Sequence, residues 1–144
     1  MTTRRRPAPG PDVPRGEPVR RLHDGFLPGR HPIDAYGNGG FRFAEMSHRG
    51  SILALPSGIR AWDVTGADGF TPEAFAAVLD ERRAIDVLLI GAGREVGILP
   101  DPLVWLFREA RISVDVMATG AAARTYNIML GEGRQVAAAL VAVD

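Results

Sequence analysis

The stretch Thr119-Gly120-Ala121-Ala122-Ala123-Arg124-Thr125-Tyr126-Asn127 gathers hydroxyls, a cation, a phenol and an amide into one short segment. On a helix, Arg124 and Asn127 stand three residues apart and share a face, while Ala121, Thr125 and Ile128 would point to a sheet. Arg124 falls in the first turns, where the helix dipole disfavours a cation. An anion must compensate it. An internal carboxylate, Glu95 or Asp115, is the preferred partner, and the alternative is a ligand carboxylate or phosphate held by the free amides of the helix start.

A second candidate is Gly91-Ala92-Gly93-Arg94-Glu95-Val96-Gly97, placed after an apolar run. Glycines there would let backbone amides approach a pyrophosphate. The dinucleotide fingerprint, however, is G-x-G-x-x-G opening directly into a helix. Here the third glycine comes one residue late, Pro100 and Pro102 delay the helix, and no second mononucleotide-binding half follows. The plainer reading is a glycine turn that permits tight strand-to-helix geometry.

The remaining reactive residues do not assemble into a catalytic set. His23, His31 and His48 lack the spacing of a metal site and read as surface residues. No nucleophile, base and orienting acid can be grouped. Cysteine is absent, so disulfides and thiolate chemistry are excluded, and the absence of lysine closes Schiff-base chemistry and the P-loop lysine. Neither a cofactor nor a metal is expected. Trp62-Asp63 reads as core plus turn. Trp105 would project opposite the apolar stripe of its helix, either as a protein-contact residue or as a side chain covered by loops.

The elements that must position these residues follow from periodicity and punctuation. Between residues 33 and 64, short apolar runs at Ile33 to Tyr36, Phe41 to Met46, Ser51 to Leu55 and Ile59 to Val64 alternate with turn residues, which predicts an antiparallel meander. Phe41 and Phe43 share one strand face and Arg42 and Ala44 the other. Thr71-Pro72-Glu73 is a helix start, with Phe75, Val78 and Leu79 as its buried stripe. Ile85 to Ile90 is a strand covered on both faces, and a helix from Pro100 to Pro102 onward carries Leu103, Leu106, Phe107 and Ala110. With the strand Ile112 to Met117 these form one βαβ unit. Thr119 is expected to cap a third helix that Gly131 and Gly133 end, and Gln135 to Val143 is the last strand. The fold class is therefore α/β, with an N-terminal antiparallel meander, a βαβ unit and about three helices.

One such domain, residues 31–144, is expected behind an Arg- and Pro-rich disordered tail, residues 1–30. Phe26 and Leu27 could dock on the domain where order begins. The tail holds seven arginines against three acids, a net of +4, and the rest ten against fourteen, a net of −4. A mildly acidic domain is a poor nucleic-acid binder, since phosphate contacts need a basic face. No window approaches the ~18 consecutive apolar residues of a membrane helix, and the N-terminus lacks the apolar region of a secretory signal. The expected location is cytoplasmic.

The sequence also resembles a widespread family of small domains of largely unknown function, which includes a mitochondrial respiratory complex I assembly factor and archaeal and bacterial proteins of the same fold. The resemblance spans about residues 31–143. It rests on Ile33-Asp34-Ala35-Tyr36-Gly37 with Phe41, Trp62, Leu88-Leu89-Ile90-Gly91-Ala92-Gly93, and above all Ala122-Ala123-Arg124-Thr125-Tyr126-Asn127 followed by Gly133-Arg134 and Val136-Ala137-Ala138. It implies a compact three-layer α/β domain with a mixed β-sheet and, for the mitochondrial branch, a non-catalytic role in assembling a membrane complex. Where other members often carry a cysteine, this chain has Ala123. The leading reading is a protein-binding or assembly domain, more a partner than an enzyme, acting near Gly91 to Arg94, Arg124, Thr125 and Asn127, with Trp105 as a further contact. The alternative is a site for an anionic metabolite or nucleotide between the Gly91 loop and the Arg124 helix.

Overall fold

The computed structural model describes residues 25–144. Its centre is a mixed six-stranded sheet in the order β1-β6-β5-β9-β7-β8, built from β1 (Phe26–Pro28), β5 (Ser51–Leu55), β6 (Gly58–Trp62), β7 (Val87–Gly91), β8 (Ser113–Met117) and β9 (Val136–Leu140). β7 runs parallel to β8 and β9, and the other pairings are antiparallel. A second, antiparallel sheet holds β2 (Ala35–Gly37), β3 (Gly40–Phe43) and β4 (Met46–Arg49). The helices are α1 (Ala76–Asp80), α2 (Asp101–Glu109) and α3 (Thr119–Gly131).

Strand alternation divides the core into two halves. Leu53, Leu55, Leu88, Ile90, Ala137 and Ala139 face the layer that carries α1 and α2. Ile52, Ala54, Leu89, Ala138 and Leu140 face α3 and the small sheet. β9 is central and fully buried, and its run of alanines lets both outer layers approach the sheet closely. On the first side, Phe75 meets Phe107 edge-on at 5.2 Å, and Trp62 Nε1 donates to the Ala74 carbonyl at 2.8 Å. On the second, Phe41 and Phe43 are fully buried, each contributing about 1.5–3 kcal/mol.

The βαβ unit of β7, α2 and β8 forms as its pattern predicts, with Leu103 and Phe107 buried and Leu106 and Ala110 half-buried. Thr71 Oγ1 accepts from the Ala74 N–H at 3.2 Å, but Pro72 is the N-cap of a 3₁₀ turn over Glu73–Phe75 that precedes the short α1. α3 ends in a Schellman motif, with Gly133 at φ 75° and the Gly133 and Arg134 amides returning to Leu130 and Met129.

Two expectations are corrected. The single strand Phe41 to Met46 is two strands, because Ala44 and Glu45 turn the chain at φ 49° and 62°, the positive values a type I′ hairpin requires. Phe26 and Leu27, by contrast, dock on the domain as expected: they pair with Arg60 and Ile59, covering the edge of β6, and the Arg60 guanidinium lies 5.3 Å from the centroid of the Phe26 ring. The expected tail otherwise falls on residues 1–24, outside the described residues. Thr119 is not a cap; Ala118 is the N-cap of α3, and the Thr119 side chain is turned inward.

Candidate functional site

The Gly91 loop and the start of α3 are joined by Thr119. Its hydroxyl donates to the Val141 carbonyl at 2.7 Å and accepts from the Gly93 N–H at 3.0 Å, and its own N–H donates to the Gly93 carbonyl at 2.8 Å. Thr119 is fully buried. Gly91 must be a glycine, since a Cβ there would stand 2.9 Å from Thr119 Cα. The Ala92 N–H donates to the Met117 carbonyl at 2.9 Å. The Ala92 and Gly93 amides that would have cradled a phosphate are therefore engaged within the fold. The Tyr36 hydroxyl also lies against Gly120 at the start of α3, where a larger residue would require the Tyr36 ring to shift. The depression beside the loop is lined by Thr65 to Ala67, Ala92 to Gly97 and Val141 to Asp144, and by no residue of α3.

The Arg124 to Asn127 block divides between surface and core. Ala122, Ala123, Tyr126 and Met129 form the buried face of α3, whereas Ile128, expected to face the sheet, is 63% exposed. The expected face was out of phase by one position because Tyr126, not Thr125, fills the space between α3 and the small sheet. Burial raises the pKa of the Tyr126 phenol, against a smaller opposing effect of Arg30. Thr125 is half-buried, with Oγ1 3.9 Å from Met117 Sδ. Asn127 binds the backbone of Ile33 through both ends of its amide. Arg124 is exposed, and among the described residues neither Glu95, Asp115 nor any other group pairs with it. The preferred internal salt bridge is thus not made.

Trp105 lies in the other layer. It is 60% exposed on α2, with the Arg108 guanidinium 5.1 Å from the centroid of its indole. Since α2 and α3 cover opposite faces of the sheet, the fold does not bring Trp105 together with Arg124, Thr125 and Asn127. Gly91 and Gly93 link the two layers, and Arg94 turns outward to the Asp144 carbonyl at 3.2 Å. The loop that follows exposes Val96 and Ile98, the latter almost completely. Sequence reasoning missed the bridging role of Thr119, for which the only signal was a hydroxyl beside an apolar strand, and it missed Arg108 and Arg111 on α2 and at its end.

His48 is half-buried rather than a surface residue. Its ring lies 6.4 Å from that of Phe43, and burial lowers its pKa, with a hydrogen bond to the Ser51 backbone acting in the opposite direction. Among the described residues no cluster of histidines and carboxylates could hold a metal ion. Nor is any helix there long and apolar enough to cross a membrane.

These features define a class: a small three-layer α/β domain whose most polar motif ties its own layers together and whose exposed aromatic surface lies elsewhere. Residues 33–141 match the family of proteins of unknown function DUF498/DUF598, and the chain belongs to that family. An uncharacterised protein of Rhodobacter capsulatus is 38% identical over 113 residues, covering 78% of this chain and 86% of that one. A Bartonella henselae crystal structure, described as an outer membrane protein, is 59% identical, with a TM-score of 0.79, covering 81% of this chain and 98% of that one. The mouse NADH dehydrogenase [ubiquinone] 1 alpha subcomplex assembly factor 3 is 28% identical over 109 residues, covering 76% of this chain. The match spans only 59% of the mouse protein.

Proposed function

We propose that this protein is a non-catalytic, protein-binding assembly factor that works in the cytoplasm and assists the building of a respiratory membrane complex of the NADH dehydrogenase type. The similarity to the mouse assembly factor across 109 residues carries this reading. Two structural features support it. The Ala92 and Gly93 amides and the Thr119 and Asn127 side chains are occupied in holding the fold. Trp105 and Arg108, residue types that anchor protein interfaces, stand together on the exposed side of α2.

The test is deletion of the gene in its own organism, followed by native gel electrophoresis of the membranes. Loss of the assembled NADH dehydrogenase complex, with accumulation of partial complexes, is the expected result. Undiminished complex would contradict the reading.

A further inference from the structure

The two edges of the large sheet differ. β1 is three residues long and ends in Pro28, which has no N–H to offer, so this edge is blunted. β8 is five residues long, Ser-Val-Asp-Val-Met, with no proline or glycine, and among the described residues β7 is its sole sheet neighbour. The Ser113 N–H donates to the Asp86 carbonyl and the Met117 carbonyl accepts from Ala92, both on the β7 side. Alternation along the strand therefore sends the N–H and C=O groups of Val114 and Val116 outward, where no described residue bonds to them.

Beside that edge runs a groove of about 570 Å³ between β8 and α2. Val104, Val114 and Val116 are among its apolar lining residues, Arg108 and Arg111 supply its charge, and no carboxylate lines it. Arg111 is the informative residue. It occupies the left-handed position at the end of α2, at φ 61°, with its N–H bonded to the Arg108 carbonyl and the Ile112 N–H to that of Phe107. This is the motif that Gly133 serves at the end of α3. An arginine there is strained relative to glycine, and strain of this kind collects at functional sites. What the arginine adds is a guanidinium on the groove.

We propose that β8 and this groove receive an extended segment of a partner protein, added to the sheet as a further strand. Its alternate apolar side chains enter the groove and its carboxylates meet Arg108 and Arg111. The inference rests on the protein-binding reading and names where and how the partner docks. A partner of different sequence fits better than a second copy, because symmetric antiparallel pairing centred on β8 would set two Asp115 side chains opposite one another.

The experiment is selection of a phage-displayed random decapeptide library on the full chain, with the enriched peptides synthesised and studied by NMR amide exchange. Enriched sequences should alternate apolar residues and carry Asp or Glu, and their binding should slow exchange at the Val114 and Val116 amides. Arg111→Gly should weaken binding by about tenfold or more while leaving the melting temperature equal or higher, because glycine suits the left-handed position. Enrichment of basic peptides, protection confined to α3, no enrichment at all, or self-association through β8 in analytical ultracentrifugation would each overturn the proposal. If gene deletion depletes the respiratory complex yet Arg111→Gly restores it fully, the docking site falls while the assembly reading stands.

Discussion

Asn127 holds Ile33 as a second backbone would: its Oδ1 accepts from the Ile33 N–H at 2.8 Å and its Nδ2 donates to the Ile33 carbonyl at 2.8 Å. The amide thus fastens the chain entering β2 to α3, two segments 94 residues apart. Asn127→Ala is expected to destabilise the protein by about 1–3 kcal/mol. Asn127→Asp should cost at least as much, because it replaces the donor with an acceptor facing the Ile33 carbonyl. Urea unfolding of both variants checks this, and wild-type stability in either would contradict it.

Thr119 fastens the other end of α3. Thr119→Val keeps the shape but leaves the Val141 carbonyl and the Gly93 N–H without their hydroxyl partner, at an expected loss of about 1–3 kcal/mol. Thr119→Ser keeps the hydroxyl and should lose less. Thermal unfolding of the pair reads the difference, and equal losses would remove the hydroxyl from the explanation.

The β3–β4 hairpin turns through two residues that are poor at positive φ. Replacing Ala44-Glu45 with Asn-Gly should stabilise the protein by about 1 kcal/mol, since that pair favours the type I′ geometry. A lowered unfolding midpoint would mean that the turn geometry is not the controlling factor.

The layered architecture was largely legible in the sequence, and the reason is periodicity. The alternation at Phe41 and Phe43, the stripe from Leu103 to Ala110 and the all-apolar β9 each admit one reading, and the structure follows it. What was not legible depended on contacts distant in the chain. Ala44-Glu45 carries no turn signal, so β3 and β4 read as one strand. The inward face of α3 is set by Tyr126 packing near Phe41 and Phe43, which local spacing cannot show. Arg124 looked as if it needed an internal anion, yet water can compensate an exposed guanidinium. Of the candidate residues, Gly91, Gly93 and Asn127 make contacts within the fold, and Trp105 is exposed, one of the two placements its helical position leaves open.

His48 sets a pH dependence. Burial lowers its pKa from the ordinary 6.5, so the unfolded chain binds the proton more readily than the folded one. Its contribution to stability is therefore fully present above pH 6.5 and declines as pH falls from there toward the folded value. The difference in unfolding free energy between wild type and His48→Gln should change over that window in that direction. A difference independent of pH would contradict the assignment.

If the protein acts by contacting a partner through α2, exchange of Trp105 should disrupt that action and exchange of Arg124, on the opposite face of the sheet, should not. The chromosomal copy is replaced by Trp105→Ala or by Arg124→Ala, and the assembled NADH dehydrogenase complex is quantified on native gels. Both side chains are exposed, so both purified variants should melt within a few degrees of wild type. The amount of assembled complex should fall toward the deletion level with Trp105→Ala and be retained with Arg124→Ala. Full assembly with Trp105→Ala, or a loss confined to Arg124→Ala, would contradict a partner contact through α2.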